Sequence, residues 1–238
     1  MNTRSCSSRL SNGTAQSKPV KSFTPERHSL QFLVVDDHSI VRNGLTQILV
    51  SSFPHSDVRE AADAKQALES AAKNKFDVVL LDISMPGQSG LEVLKQLKEL
   101  QPEAKALILT MHPEEQYAVR VLKAGASGYL TKDTAADEVT NAIKKILAGG
   151  TYVSATLAEN LASNLHAPAQ KTLHERLSDR EYQILRMIGV GKSVKEIAFD
   201  LSLSIKTIST YRARVLSKLK FKGNADVIRY AMREKLVD

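Results

Sequence analysis

The sequence has a single cysteine, Cys6, and no long apolar run. One cysteine excludes an intramolecular disulfide framework and any zinc or iron–sulfur site built from several cysteines, and it is typical of a reducing compartment. No stretch approaches the roughly 20 apolar residues that span a bilayer, and the N-terminus lacks an apolar signal core of about 7–15 residues. The nucleotide-binding motifs GxxxxGK[ST] and GxGxxG are also missing. We therefore expect a cytosolic protein that is not a nucleotide enzyme.

Charge is distributed unevenly along the 238 residues. The chain carries 33 Lys and Arg against 26 Asp and Glu, a formal net charge of +7. Residues 1–30 carry a net charge of +4, residues 31–150 of −3 and residues 151–238 of +6. At about 100–200 residues a domain, the length allows one large or two small domains. The change of sign favours two domains with different partners, the basic one a candidate for binding nucleic acid.

The first 30 residues differ in composition from the rest of the chain. They are rich in Ser, Thr, Asn, Lys and Arg and hold few large apolar side chains, so we predict a disordered tail at residues 1–30. A flexible extension and a start codon placed too far upstream both explain such a tail. We predict one domain at residues 31–150, a linker with a short helix at residues 151–176, and a second domain at residues 177–238.

From residue 30 onward, apolar runs of strand length alternate with segments of helical period. The alternation predicts right-handed crossovers and a doubly wound α/β domain, with a five-stranded parallel sheet covered on both faces. Binding sites in such sheets form beyond the carboxyl ends of the strands. The predicted strands are Phe32–Val35, Asp57–Ala61, Val78–Leu81, Ala106–Thr110 and Ser127–Leu130, and the helical segments are 40–49, Ala64–Ala72, 91–100, Tyr117–Leu122 and Val139–Leu147.

Polar residues stand at the ends of four predicted strands. Three carboxylates that meet at one edge would repel each other unless a cation joined them, and a pocket of oxygen ligands suits Mg²⁺. Taken singly, each acid is equally well explained as a helix N-cap. The strand-end residues are Asp36 and Asp37 after the first strand, Asp82 after the third, Thr110 in the fourth, and Thr131 and Lys132 after the fifth.

These residues and their order resemble the receiver domain of bacterial two-component response regulators, over residues 30–150. The resemblance implies that Asp82 is the phosphoacceptor and that Asp37 and Asp82 bind Mg²⁺ together with the backbone carbonyl of Ser84. It also implies that Asp36 completes the acidic pocket. The matching segments are 34–37, with the sequence VVDD, 80–87, with the sequence LLDISMPG, Thr110, and 128–132, with the sequence GYLTK.

The same resemblance assigns roles to three residues beside the acids. It implies that Thr110 and Lys132 contact the phosphoryl group. It also implies that Tyr129 is a switch residue, which turns inward when the Thr110 hydroxyl moves toward the phosphoryl group. Simple packing of Tyr129 near the sheet edge is the alternative.

The C-terminal part shows only helical periods. Ser178 and Glu181 have the spacing of a capping box, so a helix is expected to begin at residue 179. Ser193 begins a second helix, and residues 202–204 form a tight corner into a third helix, Ile205–Leu219. Two short helices joined by a tight turn are typical of a helix-turn-helix. We therefore predict an all-α helix-turn-helix domain after the α/β domain.

The third helix has two distinct faces. A step of about 100° per residue places Ile208, Val215 and Leu219 on the buried face. The opposite face is polar, basic and built from small residues, so it would fit a major groove. Its members are Lys206, Thr210, Ala213, Arg214 and Ser217, flanked by Ser209 and Lys220.

Residues 177–236 resemble the LuxR-type DNA-binding domain of the NarL/FixJ class. The matching segments are 177–181, with the sequence LSDRE, 195–198, with the sequence KEIA, and 206–208, with the sequence KTI, together with Gly191, Leu201, Ser204, Lys218 and Leu219. The resemblance implies that residues 205–220 form the recognition helix. By analogy, Ser209, Thr210 and Ala213 face the bases, and the phosphate-contact candidates are Lys195, Lys206, Thr207, Tyr211 and Arg214.

The final helix, predicted at residues 224–236, would carry a dimer surface through Val227, Ile228 and Ala231; ordinary packing inside the domain explains these residues equally well. Four positions depart from the family pattern: Val194, where Asn is frequent, Tyr211, where His is frequent, and Ser209 and Ala213, which are less basic than in some relatives. These departures leave the operator sequence open. With fewer bidentate base contacts, DNA shape and phosphate contacts are expected to carry more of the selectivity.

Together the two resemblances predict a response regulator that a sensor histidine kinase phosphorylates and that binds promoter DNA as a homodimer, with Mg²⁺ as its cofactor. We expect that the chain is not an enzyme. A phosphatase with an aspartyl intermediate commonly has a second Asp two residues after the first, and here Ser84 stands at that position after Asp82. A constitutive DNA-binding protein with an unused receiver is the other alternative. The six histidines show no close pair with metal-ligand spacing. Phosphorylation would either free the recognition helix or promote a dimer.

Overall fold

The computed structural model describes residues 29–111, 114–155, 157–159 and 172–237. The predicted tail at residues 1–30 therefore lies almost wholly outside the described residues, and the predicted linker at residues 151–176 lies partly outside them. Within the described part of the chain, no helix combines the length and the apolar character needed to cross a bilayer.

The N-terminal half contains the predicted parallel sheet with helices on both faces. Its five strands lie in the order β2-β1-β3-β4-β5, and every neighbouring pair is parallel. This confirms the doubly wound α/β fold. The strands are β1 (Gln31–Val35), β2 (Asp57–Ala61), β3 (Val78–Asp82), β4 (Lys105–Thr110) and β5 (Gly128–Thr131), and the helices are α1 (Ser39–Ser52), α2 (Ala64–Lys73), α3 (Gly90–Leu100), α4 (Glu114–Lys123) and α5 (Lys132–Leu147).

The sheet is buried on both faces because its central strands are apolar at successive positions. Leu33 and Val35 of β1 pack into one apolar cluster with helices α2 to α4, whereas Phe32 and Val34 pack into a second cluster under α1 and α5. Successive side chains of a strand point to opposite faces, so a continuous apolar run fills both layers.

One helix begins well before its predicted start. Helix α5 begins at Lys132, directly after β5, whereas the apolar period predicted a helix from Val139. Its first two turns are mostly polar and bury only Ala135, so the apolar pattern is weak there. The early start places Lys132 at the end of the sheet, beside the carboxyl ends of β1 and β3.

The C-terminal part is helical, as predicted. A short 3-10 turn, Leu173–Arg176, precedes four helices: α6 (Asp179–Gly189), α7 (Val194–Asp200), α8 (Ile205–Leu219) and α9 (Asn224–Arg233). Capping boxes begin both α6, at Ser178 and Glu181, and α7, at Ser193 and Glu196. Helices α7 and α8, joined by the corner at residues 202–204, form the helix-turn-helix.

Glu181 also ties α6 to α8. Its side chain is almost fully buried and accepts a hydrogen bond of 2.6 Å from Lys218 and one of 2.7 Å from the Ser178 backbone. Burial opposes ionisation of this carboxyl, but these hydrogen bonds outweigh burial and hold the pKa of Glu181 below its usual value. The charged carboxylate therefore links the start of α6 to the last turn of α8.

Candidate functional site

The register of the sheet brings the predicted strand ends to one edge. Val35 of β1 pairs with Leu81 of β3, so the residues that follow them, Asp36 and Asp82, emerge side by side. Asp82 pairs with Leu109, and Thr110 pairs with Thr131 on β5. The acids, the threonine and Lys132 therefore leave the strands within two residues of the same level.

Three carboxylates converge in this pocket. Asp36 and Asp82 are each 1% exposed, and Asp37 is partly covered. Ligand atoms of these acids and of His38 all lie within 4.8 Å of one another. Burying like charges so close together is unfavourable without a cation to neutralise them.

Lys132 supplies one such cation. Its Nζ atom lies 2.6 Å from Asp36 Oδ2 and 2.7 Å from Asp82 Oδ2. Burial disfavours the ammonium, but the two carboxylates outweigh it and raise the pKa of Lys132. Burial raises the pKa of Asp82, while Lys132 and the Ser84 backbone act in the opposite direction. One ammonium thus leaves the three acids incompletely neutralised.

The oxygen atoms left over fit a hard divalent cation. The buried Oδ1 atom of Asp37 has no hydrogen-bond partner among the described residues, although carboxylates buried in proteins are normally paired. Asp37, Asp82 and the Ser84 carbonyl, which the sequence predicted as ligands, offer the carboxylate and carbonyl oxygens that Mg²⁺ prefers. The residues present are therefore suited to this ion.

Backbone contacts fix the loops that carry the acids. The Ser84 amide donates a 2.9 Å hydrogen bond to Asp82 Oδ1, which orients that carboxylate. Arg42 of α1 donates a 2.7 Å hydrogen bond to the Asp36 carbonyl and lies 3.3 Å from Glu60 on β2. The acidic turn is thus anchored to α1 and to the neighbouring strand.

Thr110 and Tyr129 are both buried, at 0% and 1% exposure. Residues beyond α5 help to cover the β5 edge: the Tyr129 amide donates a 2.8 Å hydrogen bond to the Tyr152 carbonyl, and the Tyr152 amide donates one of 3.0 Å to the Ser127 carbonyl. The Tyr129 ring is thus already covered in this structure, before any activation step that would bury it.

The predicted DNA-facing side of α8 is open to solvent. Lys206, Ser209, Thr210, Ala213 and Arg214 are exposed, whereas Ile208, Val215 and Leu219 are buried as predicted. Two further candidates, Thr207 and Tyr211, are half-buried on the flanks of this face, and Lys195 is exposed on α7.

The predicted dimer residues on α9 have unequal exposure. Val227 and Ala231 are fully buried and belong to the core that α9 shares with α6. Ile228 is half-buried, and Met232 is among the most exposed apolar side chains described. The dimer role of these three residues stays a prediction, and Ile228 is the one of the three that reaches the surface.

No pattern in the sequence predicted a second set of contacts, between the two halves of the chain. Tyr117 of α4 packs edge-on against Tyr182 of α6 with ring centroids 5.5 Å apart, and the Arg120 guanidinium lies 4.0 Å from the Tyr182 centroid. Arg180 donates a 2.6 Å hydrogen bond to the Gly87 carbonyl, and the Gly87 amide donates one of 3.2 Å to the Leu201 carbonyl. Gly87 belongs to the loop that follows Asp82.

Comparisons with known proteins agree with this arrangement. Residues 32–144 match the family described as "Response regulator receiver domain", and residues 175–231 match the family described as "Bacterial regulatory proteins, luxR family". The chain is 37% identical over 210 residues to the response regulator GacA of Pseudomonas aeruginosa, an alignment that covers 88% of this chain and 98% of that protein.

Two solved structures of RcsB response regulators are also similar, the first from Salmonella typhimurium and the second a complex with DNA. A structure from a study of conformational dynamism in DNA interaction matches with a TM-score of 0.62 and 25% identity, over 88% of this chain and 99% of that chain. A complex of the two-component response regulator RcsB with DNA matches with a TM-score of 0.53 and 25% identity, over 88% of this chain and 100% of that chain.

Proposed function

Because this chain belongs to the two-component response regulators of the NarL/FixJ class and is a DNA-binding transcription regulator, we propose that Asp82 is its phosphoacceptor and that phosphorylation controls its binding to promoter DNA. The observation that carries the proposal is the position of Asp82, buried at the end of β3 between two further acids and Lys132. The proposed domains are residues 31–150 and 177–238, and the proposed compartment is the cytoplasm.

The donor is a phosphohistidine of a sensor histidine kinase. A carboxylate oxygen of Asp82 attacks phosphorus, an O–P bond forms, the P–N bond breaks, and the donor nitrogen keeps the electron pair. Phosphoryl transfer depends mainly on positioning and on neutralising charge. When bound by Asp37, Asp82 and the Ser84 carbonyl, Mg²⁺ supplies positive charge to the transferring oxygens. The Ser84 amide orients the attacking carboxylate.

Lys132 has a second task after transfer. In the structure its ammonium is shared between Asp82 and Asp36. When the Asp82 charge moves onto a phosphoryl group, the ammonium follows the new oxygens, since Lys acts as a compact cation for phosphate. Thr110 lies one residue past the level of Asp82, and its hydroxyl donates a hydrogen bond to the same phosphoryl group. Tyr129 on the neighbouring strand then changes its position.

The DNA-binding half acts through α8. Its exposed small residues, Ser209, Thr210 and Ala213, approach base edges, and the exposed cations Lys206 and Arg214 contact phosphates. A second copy of the chain joins through α9 to cover a two-part site. In the docked form, the two halves of the chain contact each other as described above. Phosphorylation shifts the population toward a DNA-binding form only by stabilising that form relative to the docked form.

The test compares wild type with Asp82→Asn and the control Asp57→Asn, whose side chain is exposed at the start of β2, away from the pocket. Each protein is incubated with Mg²⁺ and a small phosphodonor, and intact mass and dimer fraction are measured. We expect one phosphoryl adduct and an increased dimer fraction in wild type and in the control, and neither in Asp82→Asn. Full labelling of Asp82→Asn would refute the assignment, and absence of an adduct in wild type with several donors would favour constitutive DNA binding.

A further inference from the structure

His38 places a ring nitrogen among the acidic oxygens. Its Nδ1 atom lies 3.2 Å from Asp36 Oδ1 and 3.0 Å from Asp37 Oδ1. The Asp36 contact is a hydrogen bond, whereas Asp37 Oδ1 is buried and has no hydrogen-bond partner in the described part of the chain. Nδ1 and Asp37 Oδ1 therefore lie at ion-pair distance without a hydrogen bond between them.

This spacing is the one that two ligands of one metal ion would have. Neighbouring ligands in an octahedral site with metal–ligand distances of about 2.1 Å are about 3.0 Å apart. The distance from His38 Nδ1 to Asp37 Oδ1 is 3.0 Å. Asp82 offers a ligand atom within the same cluster. An ion in this pocket would thus meet a nitrogen as well as oxygens.

The imidazole and the ammonium use different oxygens. Lys132 contacts the Oδ2 atoms of Asp36 and Asp82, whereas His38 contacts the Oδ1 atoms of Asp36 and Asp37. A metal held by His38 and Asp37 would therefore leave Lys132 with its partners. It would take the place of the Nδ1 proton that is donated to Asp36 Oδ1, and that proton would go to solvent.

The structure gives His38 no helix-capping task. The residue is the N-cap of α1, yet its side chain makes no capping hydrogen bond. The side chain is 65% exposed, so it is not needed to fill the core. What it does is face the acids.

We propose that His38 is a nitrogen ligand of the divalent cation bound at the acidic pocket, and that it gives the pocket a preference for borderline cations such as Ni²⁺ over Mg²⁺. Imidazole suits Ni²⁺, Cu²⁺ and Zn²⁺, whereas carboxylate and carbonyl oxygens suit Mg²⁺. The inference rests on the proposed function only in taking the acidic pocket as the metal site. It adds a ligand that the family resemblance did not assign and that histidine spacing alone did not predict.

Calorimetric titration of the full chain with Mg²⁺ and with Ni²⁺ tests the proposal in wild type, His38→Gln and a control, His55→Asn. His55 is exposed in the turn before β2, and its φ of 69° is one that Asn tolerates well. We expect His38→Gln to weaken Ni²⁺ binding by at least about tenfold and Mg²⁺ binding by less than about twofold. His55→Asn changes neither affinity, and circular dichroism confirms that each variant is folded.

A second measurement detects the ligand directly. With Mn²⁺ bound, electron spin-echo spectra of wild type show coupling to an imidazole nitrogen, and His38→Gln loses it. Equal loss of Mg²⁺ and Ni²⁺ affinity in His38→Gln, unchanged affinity for both, or persistence of the nitrogen coupling would each overturn the proposal. Loss of Mg²⁺ binding in Asp37→Asn tests the pocket itself, so failure of the metal site is distinguishable from failure of the His38 inference.

Discussion

Gly90 determines how closely α3 approaches β3, the strand that ends in Asp82, the proposed phosphoacceptor. A Cβ atom at this position would lie 2.2 Å from the Asp82 carbonyl oxygen and 2.6 Å from the Ile83 Cα. The Gly90 amide donates a 3.1 Å hydrogen bond to the Ile83 carbonyl, so the start of α3 is attached to the end of β3. Both clashing atoms belong to the backbone, which cannot move away without displacing Asp82.

Replacing Gly90 with Ala should therefore impair the pocket. We expect Gly90→Ala to lower the free energy of unfolding by about 1–3 kcal/mol, because overpacking forces a backbone shift, and to slow phosphorylation of Asp82. Denaturant unfolding and the rate of adduct formation measure the two effects. The matched control is Gly44→Ala in the middle of α1, where a Cβ meets nothing within 4 Å.

In the control, alanine should raise stability by about 0.5–1 kcal/mol, because glycine is a poor helix former. A Gly90→Ala protein as stable and as readily phosphorylated as Gly44→Ala would show that the close approach has no functional importance.

The sequence predicted the positions of some of these residues in the pocket but not those of others. The acids, Thr110 and Lys132 were predicted to share one edge because each directly follows or ends an apolar run, and the structure brings the acids and Lys132 into contact. Gly90 carries no such signal, because only the fold brings it close to the backbone of Asp82 and Ile83. His38 stands next to Asp37 in the sequence, but the spacing of the histidines does not show that its ring nitrogen turns toward the carboxylates.

Helix α8 presents its two sides unequally: one packs into the core through Ile208 and Val215, and the other meets only solvent. Its N-cap, Ser204, accepts a hydrogen bond from the Thr207 amide, which fixes the first turn. The C-terminal end stops at Lys220 in a left-handed conformation with a φ of 57°. The period of the apolar residues predicted this helix over the same residues, Ile205–Leu219, because its buried stripe is unbroken.

Removing a cation from the open side of α8 should weaken DNA binding without changing sequence preference. Lys206→Ala and Arg214→Ala should each lower affinity for all duplexes alike and reduce the salt-dependence slope by about 1, as a lost phosphate contact requires. Binding titrations at several salt concentrations measure the slope. Lys65→Ala, an exposed lysine on α2, is the control and should leave it unchanged. Equal slopes in all four proteins would locate the DNA-binding face elsewhere.

The two halves of the chain meet through α6, which leaves α8 open. Gly87 is held from two directions, by the Arg180 guanidinium and by the Leu201 carbonyl. Arg120 donates hydrogen bonds to the carbonyls of His174 and Leu177. The DNA-binding half therefore touches the same loop that carries the Ser84 carbonyl, and coupling between DNA binding and the acidic pocket would be reciprocal.

Arg180→Ala should loosen this docking. Its guanidinium is buried and bonded to Gly87 and Gln183, and a hydrogen bond from a charged group is worth about 1.5–3 kcal/mol. We expect the ratio of docked to undocked molecules to fall by roughly tenfold or more, seen as a larger radius of gyration by small-angle scattering and as faster proteolytic separation of the two halves. Arg176→Ala, an exposed arginine in the preceding turn, is the control. An unchanged radius of gyration for Arg180→Ala would contradict the role of Arg180 in docking the two halves.

The sequence did not predict that the two halves contact each other. Arg120 and Asp179 are 59 positions apart and lie 3.4 Å from each other, yet both read as ordinary charged surface residues. Tyr117 and Tyr182 fit the apolar stripes of their own helices, so nothing in the periodic pattern marked them as partners. Charge division along the chain predicted two halves with different partners but not that the halves would meet.

The β-bridge between Gly128 and Tyr152 determines where a fragment that contains only the N-terminal half should end. Strand β5 is the last strand of the sheet, and the Tyr152 backbone supplies its outer neighbour. A fragment that ends with α5 would leave the backbone of Ser127 and Tyr129 unpaired, and an uncovered strand of this kind readily recruits another chain. Such a fragment would self-associate for a reason unrelated to phosphorylation, whereas one extended through residue 159 would keep its own edge covered.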